Sequence, residues 1–170
     1  GAGGSSLALT IYLQGLPESE RPARICVTNR SSKRLEEMQR IHSQMECPIP
    51  VDYHLCPEPT GNDKVVGTLR PGSMVINATG LGKDGPGSPL TDDAQVPKGG
   101  VAWEFNYRGD LVFLDQARVQ QDGKNLAIED GWVYFIHGWT RVIAEVFDVD
   151  IPTSGPDFDA LCDIAAAVRR

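Results

Sequence analysis

Short apolar runs of strand length alternate with longer helical segments along the chain, and this alternation predicts an α/β domain with a parallel sheet. Two further observations support that class. A glycine-rich turn leads at once into a helical segment, and the strand-like runs are bounded by Pro, Gly and Asn in the manner of buried strands. The chain has 170 residues, 41% of them apolar and 23% charged, which suits one globular core at roughly 100–200 residues per domain.

Residues 5–15 form the first expected helix, with small residues in its first turn and apolar ones beyond. A β-branched run at 24–28 follows Pro22 and reads as a strand. Over 31–45, Leu35, Met38 and Ile41/His42 recur at helical spacing opposite a charged side, which predicts an amphipathic helix lying on a sheet. A strand at 51–55, a short helix at 63–69 and a strand at 74–78 come next. Residues 79–100 are rich in Gly and Pro and predict irregular structure. A strand at 101–106, a helix at 111–121, a turn at Asp122-Gly123 and a brief strand at 125–128 complete the alternation. The long apolar segment 131–149 predicts a deeply buried helix. Pro156 suits the first position of a terminal helix, with Asp157 and Asp159 near its start and Arg169-Arg170 at its end.

Charge and cysteine usage narrow the function. With 16 Lys+Arg against 23 Asp+Glu, the net charge is −7, which argues against a partner as anionic as nucleic acid or a lipid surface. No apolar run is long enough to span a bilayer, and a cytoplasmic location is expected. Cys26, Cys47, Cys56 and Cys162 contain no C-x-x-C pair and no histidine at zinc spacing, so idle thiols and no metal are expected. His42 and His54 read as surface residues, and Trp103, Trp132 and Trp139 as core or interface anchors.

Gly1-Ala2-Gly3-Gly4-Ser5-Ser6 ahead of a helix has the G-x-G-x-x-small form in which bare backbone approaches a pyrophosphate at a helix N-terminus. The same composition also occurs in linkers, so the segments after it must decide. An NAD-binding turn usually has Asp or Glu after its second strand; here the chain reads Asn29-Arg30-Ser31-Ser32-Lys33-Arg34. Cations in the first turn of a helix oppose the macrodipole by about 0.3–1 kcal/mol each. A 2′-phosphate between Arg30, Arg34 and the helix N-terminus would reverse that sign, so NADP is preferred. A solvated basic patch is the competing reading.

These segments, followed by Ile76-Asn77-Ala78-Thr79-Gly80-Leu81-Gly82, Ser88-Pro89-Leu90, Tyr107 and Asp130-Gly131 opening a long helix, resemble the shikimate/quinate dehydrogenase family over residues 1 to about 150. The resemblance implies a Rossmann-like doubly wound parallel sheet that lacks its first strand and its N-terminal substrate domain. It implies an NADP-binding domain over 1–150, and a helix over 151–170 that packs on the substrate domain. Gly1, Ala2, Gly3, Gly4 and Ser5 would hold pyrophosphate, and Asn29, Arg30, Ser31 and Arg34 the 2′-phosphate. Thr79, Leu81, Phe105 and Gly131 would line the nicotinamide, and Tyr107 would reach a cyclic hydroxy-acid substrate. The family's catalytic Lys and Asp belong to the substrate domain, so none is assigned here. Two positions depart from the pattern. Gly138 stands where the family has a substrate-binding Gln, beside Tyr134, His137 and Arg141, and Glu104-Phe105-Asn106-Tyr107-Arg108-Gly109 replaces Asp-x-x-Tyr-x-Pro. Gly138 either makes room for a different substrate or admits a neighbouring helix. The implied activity is reversible hydride transfer between NADP and shikimate, quinate or an analogue, with room for a homodimer. The alternative is a dinucleotide-binding sensor or assembly module without turnover.

Overall fold

Every strand of the computed structural model, which describes residues 1–168, pairs in parallel with its neighbour, as strands joined by crossover helices do. The strands make two sheets. β1 (Ile25–Asn29) lies beside β2 (Val51–Leu55), while β3 (Met74–Asn77), β4 (Val101–Glu104) and β5 (Ala127–Glu129) pair in sequence order. The fold is mixed α/β with two small parallel sheets, and β1 and β3 are not bonded to each other.

Each sheet has its own apolar core. Val27, Ile25, Val51 and Tyr53 pack against Ala2 and Leu7 at the start of α1 (Gly4–Gln14) and against Leu35 and Met38 of α2 (Ser32–His42). Val75, Ala102 and Ile128 pack with Val66 of α3 (Pro59–Val66) and with Phe113, Leu114 and Ala117 of α4 (Val112–Arg118). The segment 79–100 forms no helix or strand, but its Leu90, Ala94 and Val96 close the second core.

Several expectations need correcting. α3 begins at Pro59 rather than at 63, because proline's missing N–H costs nothing in a first helical turn. The helix expected over 111–121 divides into α4 and a single turn α5 (Gln121–Lys124), which occupies the expected Asp122-Gly123 turn and ends with Asn125 in the left-handed region. α6 (Trp132–Phe147) is not deeply buried: Ile136 is its one buried residue, while Val133, Val142, Ile143, Val146 and Phe147 are exposed. Trp139 is 56% exposed and anchors no core. α7 (Pro156–Ala167) forms as expected, with Phe158 buried and stacked on His137 of α6; Arg169-Arg170 lie outside the described residues. Among the described residues no helix is long and apolar enough to cross a membrane.

His42 is the clearest reversal. It is buried, its Nε2 lies 2.8 Å from Thr10 Oγ1, and its Nδ1 lies 2.5 Å from the Tyr53 hydroxyl. Thr10 donates its own proton to the Leu7 carbonyl at 2.9 Å, which leaves the imidazole to donate from Nε2 and to accept from Tyr53 at Nδ1. The buried face of α1 is polar throughout, since Ser6, Thr10 and Gln14 recur every fourth residue. Gln14 completes it, donating to the Ile49 carbonyl at 2.9 Å and accepting from the Ile49 N–H at 2.8 Å.

Candidate functional site

A groove of about 850 Å³ opens where β1, β2 and β3 end, at the carboxyl edge where open parallel sheets hold their ligands. Gly1, Ala2 and Gly3 form one wall, Asn29, Arg30, Ser31 and Arg34 a second, and Thr79 and Leu81 a third. Gly4 and Ser5 do not line it; they sit exposed in the first turn of α1.

The walls follow from local chemistry. A Cβ added to Gly1 would lie 2.6 Å from the Ala78 carbonyl oxygen, so only glycine lets this backbone rest against the end of β3. At Gly3 and Gly4 an added Cβ would meet nothing within 4 Å, which leaves the backbone approachable from outside. Asn29 ties two walls together by accepting from the Ala2 N–H at 3.3 Å and donating to the Ser31 carbonyl at 3.2 Å. Gly3 and Ser31 begin α1 and α2, and neither helix has a side-chain cap or an acidic residue in its first turn. Their first N–H groups therefore remain as donors, with the positive ends of two macrodipoles. Arg30 and Arg34 are exposed, and among the described residues neither has an ion-pair partner. The helix starts and the two guanidinium groups offer donors to an anion, while Glu58 and Asp84 line the same groove with negative charge.

The third wall rests on a buried polar network that the sequence does not reveal. Asn77 Oδ1 accepts from the Thr79 N–H at 3.0 Å and from the Thr79 hydroxyl at 2.6 Å, and Thr79 Oγ1 accepts from the Leu81 N–H at 3.2 Å. Glu104, fully buried at the end of β4, accepts from Asn77 Nδ2 at 2.5 Å and from the Asn106 N–H and Nδ2 at 2.8 and 2.7 Å. Burial pushes its carboxyl above the ordinary range, against the pull of those hydrogen bonds and of Lys83. Asn106 Nδ2 also donates to the Thr79 carbonyl at 3.0 Å. The loop after β3 is thus fixed from beneath by β4. Asn62, a further lining residue that sequence reasoning missed, donates to the Pro89 carbonyl at 2.8 Å, while its buried Oδ1 has no partner among the described residues.

Phe105, Gly131, Tyr107 and Gly138 lie outside this lining. Phe105 stacks on Tyr134 with centroids 4.6 Å apart, and Tyr107 stacks on Phe135 at 4.0 Å. Gly131 presses against the Phe105 carbonyl and donates to the Asn106 carbonyl at 3.1 Å, leaving no space for a Cβ. Gly138 is exposed, and a Cβ there would meet nothing within 4 Å, so it does not admit a neighbouring helix. Arg141 pairs with Glu145, and Arg108 is exposed, its guanidinium 5.8 Å from the Tyr107 ring centroid.

A second cluster lies away from the groove. Cys26 of β1 and Asp52 and His54 of β2 bring a thiol, a carboxylate and an imidazole within 4.8 Å of one another. Their separation in the chain hid this from a search for ligand spacings, and only the register of Cys26 opposite Asp52 makes it visible.

Comparison of the chain with family models, with curated proteins and with solved structures gave no match. The class that fold and groove define is a mixed α/β protein with two parallel sheets and a polar groove at the carboxyl ends of β1, β2 and β3.

Proposed function

We propose that the groove binds NADP and that the chain is the cofactor-binding part of an oxidoreductase of the shikimate/quinate dehydrogenase type. Its substrate would be a cyclic hydroxy acid. The observation that carries this reading is the convergence on one groove of the glycine turn, Asn29 and two guanidinium groups that have no ion-pair partner among the described residues. Pyrophosphate fits the open backbone at Gly3, and a 2′-phosphate fits Arg30, Arg34 and the start of α2. Asn62 Oδ1 offers an acceptor for a ribose hydroxyl or an adenine amino group. Hydride chemistry belongs to the nicotinamide, which the cofactor would supply. The network under Thr79 and Leu81 would hold that end of the groove still.

The same reading makes the two sheets halves of one doubly wound sheet. A second groove, about 900 Å³, separates the open edges of β1 and β3 and is floored by Leu9, Thr10 and Leu13 of α1. The Ile25 N–H donates to Pro50 and the Asn29 carbonyl accepts from Cys56, so alternation leaves Cys26 and Thr28 facing this gap. By the same alternation, Met74, Ile76 and Ala78 face it from β3. One more parallel strand there, entering the turn at Gly1, would give the order 3-2-1-4-5-6 of a dinucleotide-binding sheet. The exposed apolar side of α6 suits a further domain.

The non-catalytic alternative is favoured by Tyr107 and Gly138 lying outside the groove lining. Titration with NADP and NAD tests the main reading on the 170-residue chain and on a form with additional residues ahead of Gly1. NADP should bind roughly ten- to a hundredfold tighter, as charge-assisted hydrogen bonds worth about 1.5–3 kcal/mol imply. The R30Q/R34Q double variant should erase the difference, and equal affinity in the unsubstituted protein refutes the assignment. Turnover of shikimate or quinate by the extended form then separates the enzyme from the binding module.

A further inference from the structure

The helices α1 and α2 cover one face of the β1–β2 pair through Ile25, Val27, Val51 and Tyr53. The period of two along a strand places Cys26, Asp52 and His54 together on the opposite face. Cys26 stands directly across from Asp52, and His54 follows two residues further along β2. Their sulfur, oxygen and nitrogen atoms lie within 4.8 Å of one another, and all three residues are partly buried.

We propose that Cys26, Asp52 and His54 form a site for a divalent transition metal, with Zn²⁺ the best-matched ion. A thiolate, an imidazole and a carboxylate suit zinc, which binds sulfur, nitrogen and oxygen at about 2.0–2.3 Å, and they do not suit the all-oxygen shells of calcium and magnesium. The three atoms, already within 4.8 Å of one another, would have to close on the ion to those distances, with water as the fourth ligand of a tetrahedron. Cys26 is a free cysteine, so its sulfur is not held in a disulfide and can take a metal. Asp52 faces the Arg24 guanidinium at 3.6 Å, with the two side chains 47% and 45% exposed. An exposed pair at that distance is worth little, and a metal ion displaces it. The bound ion would join two strands that share only a two-stranded sheet, an arrangement of marginal stability by itself. This inference does not depend on dinucleotide binding.

The test is titration of the reduced full chain with Co²⁺ and then Zn²⁺, with a non-chelating reductant present. One equivalent of Co²⁺ should produce a thiolate-to-metal charge-transfer band, which Zn²⁺ then displaces, and Zn²⁺ should raise the melting temperature in proportion to the logarithm of its concentration. C26S and H54Q should each weaken binding by more than about 100-fold, beyond the loss expected for a supporting group. Circular dichroism checks that both variants fold, and Cys47, Cys56 and Cys162 remain in each as internal controls. Absence of saturable binding by the unsubstituted protein overturns the proposal, whatever the variants do. Binding that survives C26S, or that C26S abolishes while H54Q leaves it unchanged, overturns it also, because a lone thiol or another cysteine would then be the ligand.

Discussion

His42 shows what a single residue contributes and why its sequence misled. It ends an amphipathic helix next to Ile41, on the boundary between faces, and periodicity cannot decide which way a boundary residue turns. Only Thr10 and Tyr53, far away in the chain, supply the partners that make burial affordable. Burial lowers the imidazole's affinity for a proton, so its pKa lies below the ordinary value of 6.5. The unfolded chain therefore takes up the proton first as pH falls, and stability present above pH 6.5 is lost as pH drops through the folded-state value. His42→Leu should cost about 1–3 kcal/mol at pH 8, because it strands the partners of a buried polar group. That difference should narrow below pH 6.5, since the leucine variant has no proton to bind there; chemical denaturation of both proteins across pH 5–8 measures it. Asn29, Arg30 and Arg34, by contrast, were expected just after a strand, and the structure has them there, lining the groove at the end of β1. Glu104 was not legible in this way, because its role depends on Asn77 meeting it from the neighbouring strand, with Asn106 folding back from two residues further on.

At the level of elements, the pattern of apolar runs located all five strands, since β-branched runs between Gly and Pro have few alternatives. Helix boundaries were read less well where capping chemistry outweighed periodicity, as at Pro59 and Asn125. The misreading of α6 has a different origin. A helix apolar on most sides is ordinarily buried, and its pattern cannot say whether the cover comes from the same residues that form the sheet. Here Val142 and Val146 lie one turn apart on an uncovered side, while Ile136 alone reaches the interior. V142K and V146K should accordingly change stability by no more than about 0.5 kcal/mol, as surface substitutions do. Ile136→Ala should cost about 2–5 kcal/mol through lost burial and the cavity left behind. Urea denaturation of the three variants checks the contrast, and a large loss in V142K would place that side against the fold after all.

Across the whole molecule, the open question posed by the sequence is how many sheets the strands make, because strand propensity carries no information about neighbours. The order of elements was readable, and a sheet lacking its first strand was expected from the family resemblance; the pattern of apolar runs by itself could not show which edges that would leave unpaired, Cys26 and Thr28 on β1 and Met74, Ile76 and Ala78 beside β3. Residues of both edges line a common groove together with Leu9, Thr10 and Leu13 of α1, and a strand placed between them would be offered hydrogen-bonding groups from both sides. Two such edges also present unpaired N–H and C=O groups, which proteins generally cover. Amide hydrogen exchange reports this directly. In the 170-residue chain, the amides of Cys26, Thr28 and Ile76 should exchange faster than those of Val27 and Val75, which are bonded within their sheets. With additional residues supplied ahead of Gly1, the first group should slow by roughly 100-fold while the second changes little, because opening the edge would then require breaking a central strand. Equal exchange in the two forms would leave the sheets separate and remove the structural half of the dinucleotide-binding reading, whatever the phosphate groove proves to hold.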